Sequence, residues 1–151
     1  DEKLNIIIKQ LFPNGGMSAM DQIMEIKKLM MRSVAAQESF FMLSEAPLFT
    51  NSETGSCNDV NEAACELYGA SKNELLGFGW TNFILPNERE IVKREWTEAI
   101  QTDNEITKIY TIQNPVEDCQ IKCKYTAVIV RDTHGKIIRI MGRIKELERY
   151  N

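Results

Sequence analysis

The sequence lacks the features that mark membrane, secreted and nucleic-acid-binding proteins. No apolar run approaches the ~18 residues of a membrane span, and no signal peptide opens the chain. Basic residues are scattered, with nothing denser than Lys27-Lys28 or Lys93-Arg94, and the net charge is -4. Since phosphate binding needs a concentrated basic face, we expect a protein that contacts neither a membrane nor a nucleic acid. We also expect it to be cytoplasmic, because four reduced cysteines fit a reducing compartment.

Metal-binding and catalytic patterns are also missing. The four cysteines form no CxxC pair and no metal-ligand spacing, so we interpret them as reduced cysteines that serve as small apolar residues. The single histidine, His134, lies in a sequence typical of a hairpin turn. There is no histidine beside a nucleophile, no glycine loop suited to a phosphate and no carboxylate pair on facing elements. The sequence predicts neither a metal site nor an enzyme in this fragment.

Length and pattern divide the chain into four parts. At 151 residues we expect one domain with an extension. Residues 1–16 are predicted to be a helical tail or the end of an upstream segment, and residues 17–43 an amphipathic helix. Residues 44–147 form the domain, and residues 148–151 start a C-terminal linker. Because the chain begins with an aspartate, we expect it to be a piece of a longer protein.

The helix predicted at residues 17–43 carries a long apolar stripe. Ser18 followed three residues later by Asp21 predicts its start, and Pro47 follows its end. The apolar members of the stripe are Ile23, Ile26, Met30, Val34 and Phe41, and with Gln37 between the last two they follow spacings of three and four. Such a stripe needs a surface to cover it, and methionines suit an exchangeable contact. The helix therefore packs on its own domain, or it is a dimerisation or signalling helix, or both.

Helix signals in the middle of the chain predict two short helices and one longer helix. Asn61 is an N-cap and Gly69 the matching stop. Ser71 and Glu74 form a capping box for the second short helix. Asn87 caps the longer helix, and Glu88 and Glu90 in its first turn suit the helix dipole. Since the two short helices are too short to be stable alone, we expect them to fold over another element.

The remaining segments are predicted to be strands. They comprise residues 48–50, 56–60, 106–113, 120–131 and 136–144. The long strand at 120–131 alternates apolar and polar residues. Further apolar residues lie on the opposite face of the sheet, namely Val128 and Val130 of this strand and Ile137 and Met141 of the last strand. A sheet that is apolar on both faces needs two covers. The short helices supply one cover, and the N-terminal helix or a partner subunit supplies the other.

Several motifs, taken in order, resemble those of the PAS family. Residues 59–64 resemble "xVNxAA", and residues 67–77 resemble "LxGYSxxELLG". Residues 79–89 are similar to "GxxWxxxxHPDDR" and residues 131–136 to "RDxxGK", while Gly142 matches the glycine of the family's last strand. The resemblance covers about residues 43–147.

The resemblance implies an α+β fold and a signalling role. The expected fold is a five-stranded antiparallel sheet with short helices on one face and the N-terminal helix on the other face or on a partner. PAS domains are sensor and interaction modules attached to kinases, nucleotide cyclases or regulators. We therefore expect a homodimer that responds to a small ligand, relays through the N-terminal helix and has an output domain in the same chain. The alternative is a ligand-free dimerisation or protein-interaction module.

The sequence offers no obvious residue to bind haem or to react with flavin, two cofactors used in the family. Haem needs an axial residue such as histidine, and His134 is predicted to be in a turn. Light-sensing relatives need a cysteine in a motif like "NCRFLQ", and residues 77–85, the corresponding region, contain none. We therefore leave the cofactor unassigned and expect neither histidine-ligated haem nor flavin–cysteine photochemistry.

Aromatic residues remain as candidates for a ligand cavity between the sheet and the longer helix. Aromatic side chains with polar tips suit a pocket for a small organic molecule. The candidates are Tyr68, Trp80, Phe83, Trp96, Tyr110 and Tyr125. Each of them could instead fill the core, and the two tryptophans are the strongest candidates for lining a cavity.

Overall fold

The computed structural model describes residues 2–11 and 18–151. Its elements in chain order are α1 (Glu2–Leu11), α2 (Ala19–Leu43), β1 (Leu48–Asn51), β2 (Cys57–Val60), α3 (Glu62–Tyr68), α4 (Lys72–Leu75), a 3-10 helix (Gly79–Phe83), α5 (Arg89–Thr102), β3 (Glu105–Asn114), β4 (Cys119–Arg131) and β5 (Ile137–Tyr150). From β1 onward this is the predicted order. The predicted boundary between residues 16 and 17 lies outside the described residues.

The chain forms two compact units, which divide between Phe40 and Phe41. The first unit contains α1 and most of α2. The N-terminus of α2 is held as predicted, because the backbone N–H of Asp21 donates to Ser18 Oγ at 3.1 Å and Ser18 Oγ donates to the Asp21 carboxylate at 2.6 Å.

The apolar stripe of α2 is largely exposed. Ile23 is 60% exposed, Met30 63% and Val34 52%, whereas Ile26 is intermediate. Phe41, which belongs to the second unit, is buried at 6% exposure. The exposure of the stripe therefore varies along α2, and of its five apolar residues only Phe41 is buried.

The second unit is built on a five-stranded sheet in the order β2-β1-β5-β4-β3. Every neighbouring pair is antiparallel, which confirms the predicted α+β architecture. β5 continues to Tyr150, past residue 144, where the last strand was predicted to end, and into the first residues of the predicted linker. The predicted end was too early because the residues after Ile144 are mostly polar, yet their backbone pairs with β4 as far as Gln120 opposite Tyr150.

The two short helices are capped as the sequence predicts. Asn61 Oδ1 accepts from the backbone N–H of Ala64 at 3.0 Å, and Gly69 ends α3 in the left-handed conformation with φ 65°. Ser71 and Glu74 complete a capping box for α4. Asn61 also accepts from Leu48 N at 2.9 Å, which fastens the start of α3 to the start of β1.

The start of α5 differs from the prediction. Asn87 does not cap it, because α5 begins at Arg89 and the preceding residue, Glu88, makes no side-chain cap. The Glu88 carboxylate instead accepts from the backbone N–H of Thr111 at 2.8 Å and lies 3.3 Å from Thr111 Oγ1. Glu88 was predicted to interact with the helix dipole, but its carboxylate instead accepts a hydrogen bond from Thr111 on the edge strand β3.

The helical segment contacts each edge of the sheet at one place. On β2, Cys57 and Gly77 exchange backbone hydrogen bonds of 2.7 and 2.9 Å. On β3, Leu85 N donates to Thr111 O at 3.1 Å, beside the Glu88 contact. At these two places the backbone groups of the edge strands are already paired, so the helical segment is fastened to both edges of the sheet.

The core lies between the helices and one face of the sheet. Alternate residues of β4 are buried, from Cys119 to Ile129. On the opposite face Val128 is 52% and Val130 48% exposed. The sequence correctly assigned apolar residues to both faces, and the helices α3 to α5 pack on the inner one.

Candidate functional site

A small cavity lies in the core between the sheet and the helices. Its volume is about 20 Å³, roughly the space needed for one water molecule. The residues that line it come from seven elements and are Phe49, Asn51, Cys57, Val60, Tyr68, Trp80, Trp96, Tyr125 and Ile144. The cavity therefore lies where most of the domain's elements meet.

Four of the six predicted aromatic residues line this cavity. They are Tyr68, Trp80, Trp96 and Tyr125, each at most 8% exposed. The other two lie behind them. Phe83 packs edge-on against Tyr68 at 6.1 Å between ring centroids, and Tyr110 packs against Tyr125 at 5.3 Å.

Sequence reasoning missed the strand residues of the wall. Phe49 and Asn51 lie two apart on β1, which places both side chains on one face. Cys57 and Val60 come from β2, and Ile144 comes from β5. The period-two spacing of Phe49 and Asn51 could have predicted that both face the core. The strand is short, however, and the polar Asn51 gives that face no apolar pattern.

The tryptophan on α5 is held by close approach and by a hydrogen bond. A Cβ atom at Gly55, whose φ is +86°, would lie 2.9 Å from Trp96 Cδ1, so only glycine lets the β1–β2 turn approach this closely. With the Asn51 amide oriented so that both of its groups are paired, its oxygen accepts from Trp96 Nε1 at 3.1 Å and its nitrogen donates to Thr50 O at 3.0 Å.

The tryptophan on the 3-10 helix is not paired in this way. Trp80 Nε1 is buried, and no acceptor among the described residues lies within hydrogen-bond distance of it. The Trp80 and Trp96 rings meet edge-to-face at 6.3 Å between centroids. The two indoles are therefore neighbours with different hydrogen-bonding states.

Two tyrosine hydroxyls form a second polar contact in the wall. Tyr68 Oη and Tyr125 Oη lie 2.5 Å apart, and either oxygen could be the donor. Burial raises the pKa of both phenols well above the usual value. Both tyrosines are therefore neutral at physiological pH.

The wall of the cavity carries no charge. None of the nine lining side chains is acidic or basic. Burial raises the pKa of the Cys57 thiol to about 11, so this thiol is protonated at neutral pH, and its Sγ donates to Asp59 O at 3.5 Å. The chemistry offered is neutral, largely aromatic and suited to hydrogen bonding at a few points.

Other chemistry finds less support in the described residues. His134 is exposed in the β4–β5 turn, where its backbone N–H donates to Asp132 at 2.8 Å. Across residues 2–11 and 18–151 no three histidine, cysteine, aspartate or glutamate side chains are grouped for a metal ion. No helix in these ranges is long and apolar enough to cross a membrane.

The antiparallel sheet, its helical cover and the core cavity between them define an α+β module. A family model described as the PAS fold matches residues 58–144, more than half of the chain. The chain therefore belongs to the PAS family, as the sequence motifs indicated. PAS domains are sensory modules of signalling proteins.

Solved structures give the same fold at low sequence identity. The PAS domain of a protein from Colwellia psychrerythraea has 15% identity and a TM-score of 0.63, covering 76% of this chain and 96% of its own. A domain of a sensory box sensor histidine kinase/response regulator from Geobacter sulfurreducens has 18% identity and a TM-score of 0.60, covering 75% and 93%.

A third similar structure is the N-terminal domain of a diguanylate cyclase with a PAS/PAC sensor from Marinobacter aquaeolei. It has 14% identity and a TM-score of 0.58, covering 67% of this chain and 94% of its own. The search of curated proteins gave no match.

Proposed function

We propose that this chain is the cytoplasmic sensory domain of a multidomain signal-transduction protein of the histidine kinase, cyclase or regulator type. It binds a small organic molecule in the core cavity, relays the signal through α2 and a homodimer interface, and is not itself an enzyme. Membership of the PAS family supports the sensory role, and similar domains from a histidine kinase/response regulator and a diguanylate cyclase support an output domain in the same chain.

The neutral, aromatic lining of the cavity is the observation that carries the ligand proposal. Four aromatic residues with polar tips, together with Phe49 and Asn51, surround one space, and aromatic walls with few polar groups are typical of small-molecule sites. The ligand remains unassigned. A molecule larger than water requires the side chains around the cavity to move, because the space holds about one water.

That small volume also favours a second candidate function. A PAS domain with a filled core serves as a ligand-free dimerisation or protein-interaction module. In that case the aromatic residues act only in packing, and the signal arises elsewhere in the full-length protein.

Native mass spectrometry of the purified 151-residue chain distinguishes the two functions. We expect a mass excess in the native spectrum that disappears after denaturation, because a bound organic molecule is released on unfolding. A denatured sample and an absorbance scan are run beside it. A native mass equal to that of the polypeptide or its dimer, together with no binding of small organic molecules added at millimolar concentration, would favour the ligand-free module.

The exposed stripe on α2 supports the proposed relay. Met30 and Val34 are one turn apart, and both are more than half exposed. A second copy of the helix would remove these side chains from water, which is favourable for apolar groups. A signal can pass through such an interface when the two states of the domain differ in how the helices pack.

We expect Met30→Glu to shift the dimer towards monomer at equal protein concentration, because a carboxylate is costly to bury at an apolar interface. Ala35→Glu is the control, since it adds the same charge to the same helix, about 140° around from Met30 at ~100° per residue. Sedimentation velocity gives the oligomeric state, and circular dichroism checks the fold. If Met30→Glu leaves the dimer unchanged, or if Ala35→Glu reduces the dimer fraction equally, this stripe does not form the dimer interface of the proposed relay.

A further inference from the structure

The indole N–H of Trp80 is the exception among the buried polar groups of the described chain. The residue is 8% exposed and lines the cavity. Its Nε1 is the single buried side-chain nitrogen or oxygen without a partner in residues 2–11 and 18–151. A buried donor without an acceptor is costly, and such groups are usually paired in folded proteins. The missing acceptor is therefore a clue to what the cavity holds.

The other polar groups of the wall are already engaged. Trp96 donates to Asn51, and Cys57 donates to a backbone carbonyl. The Tyr68 and Tyr125 hydroxyls bond to each other. Among the described residues, the Trp80 N–H is thus the one side-chain donor of the wall that has no partner.

The chemistry of this donor limits the ligand. An indole N–H can only donate, so its partner must supply a lone pair. A charged ligand would meet no counter-charge, because none of the lining residues is acidic or basic, and an unpaired buried charge is strongly disfavoured.

We infer that the cavity selects an uncharged molecule with a hydrogen-bond acceptor, such as a carbonyl oxygen, and that Trp80 is the residue that recognises this acceptor. The inference rests on the proposed ligand-binding function and names its ligand class. The hydrocarbon part of the molecule packs against Phe49 and the aromatic rings, and the acceptor replaces the partner that the Trp80 indole lacks.

The chain is well suited to a direct test, because its two tryptophans give two indole N–H signals in a ¹⁵N–¹H spectrum. Trp80→Phe assigns them by removing one. The probes are cyclopentanone and methylenecyclopentane, which share a ring shape but differ in having C=O or C=CH₂. We expect cyclopentanone to move the Trp80 N–H signal downfield saturably while the Trp96 signal, already paired with Asn51, moves little.

The same titrations give the selectivity. We expect cyclopentanone to bind about tenfold more tightly than methylenecyclopentane, the effect of about one net hydrogen bond, and this preference to fall to near unity in Trp80→Phe. The surviving Trp96 signal reports whether that variant is folded. If that variant does not fold, Trp96→Phe assigns the two signals instead, and the two titrations of the unaltered chain then decide the question.

Two results would overturn the inference, and they separate it from the proposed function. Equal binding of both probes with an unmoved Trp80 signal would mean that ligands enter without using this donor, which leaves ligand binding intact. If neither probe binds, water is the remaining acceptor and the inference is wrong. Native mass spectrometry of the protein as purified then decides independently whether any ligand is bound.

Discussion

At the scale of the residue, two tryptophans of the same cavity have opposite hydrogen-bonding states. Trp96 is 3% exposed and its N–H is paired with the buried Asn51. Trp80 is 8% exposed and its N–H is unpaired among the described residues. Removing one partner of a buried hydrogen bond leaves the other partner unsatisfied, whereas removing a donor that has no partner does not. The two indoles should therefore contribute differently to stability.

We predict that Trp96→Phe destabilises the ligand-stripped chain by about 1 kcal/mol more than Trp80→Phe. Both substitutions remove part of a packed ring and so share a loss of contacts. Only Trp96→Phe leaves the Asn51 carbonyl oxygen without its donor. Urea denaturation of protein refolded from denaturant gives both free energies of unfolding. A larger loss for Trp80→Phe would contradict the hydrogen-bonding states assigned here.

Much of the cavity wall could be predicted from residue types, and part of it could not. Trp80, Trp96, Tyr68 and Tyr125 are large and aromatic, and such residues are buried in most folds. Asn51 is polar and lies near a turn in the sequence, where solvent exposure is the ordinary expectation. Its burial is decided by Trp96, a partner 45 residues away in the chain that no local pattern reveals.

At the scale of the element, acidic side chains in the same part of the chain have different roles. Glu88 lies beside α5, is partly buried and accepts from the backbone of β3. Glu90 lies in the first turn of α5 and is exposed. The sequence treats both as partners of the helix dipole. The contact of Glu88 with Thr111 joins the helix to the edge strand.

We predict that Glu88→Ala lowers the free energy of unfolding by about 1–2 kcal/mol, because a charge-assisted hydrogen bond to the strand is lost from a partly exposed site. Glu90→Ala is the matched control and should change it by less than about 0.5 kcal/mol. Chemical denaturation measures both. Equal effects of the two substitutions would show that Glu88 acts only through the helix dipole.

Elements with self-contained signals were predicted best. The capping box at Ser71 and Glu74 and the stop at Gly69 are satisfied within a few residues of sequence, and each is found as expected. Asn87 is not the cap because α5 begins at Arg89, and the residue before it, Glu88, pairs with Thr111 across the fold. The end of β5 was missed because pairing with β4, not its own apolar pattern, keeps it extended to Tyr150.

At the scale of the whole molecule, the core holds several groups that resist ionisation. Burial raises the pKa of the Cys57 thiol to about 11 and that of the Cys123 thiol to about 12, from an ordinary 9.0. Burial also raises the pKa of Tyr68 and Tyr125 above 10.0. The folded state therefore favours the neutral forms of these groups, and the unfolded state releases their protons at lower pH.

We predict that the domain loses stability as the pH rises above about 9. For a group whose pKa is higher in the folded state, the unfolded chain binds fewer protons once the pH passes the unfolded value, so stability falls. The loss begins with the thiols near pH 9 and steepens when the tyrosines titrate in the unfolded chain near pH 10. Thermal unfolding followed by circular dichroism from pH 7 to 11 measures it.

Tyr68→Phe provides the comparison for this pH dependence. It removes one buried phenol, so the decline in melting temperature above pH 10 should be shallower than in the unaltered chain, whatever the stability at pH 7. An identical slope in the two proteins would mean that the buried tyrosines do not set the alkaline limit.

The sequence by itself determined the kind of fold, since periodicity, caps and turn residues are local and the PAS motifs occur in the family's order. It also supplied most of the aromatic residues of the cavity, because large apolar side chains leave water wherever the chain folds. Only the tertiary structure decided the rest. Which indole finds an acceptor, which glutamate joins a strand and where β5 ends depend on groups distant in sequence, and burial makes those long-range pairings energetically decisive.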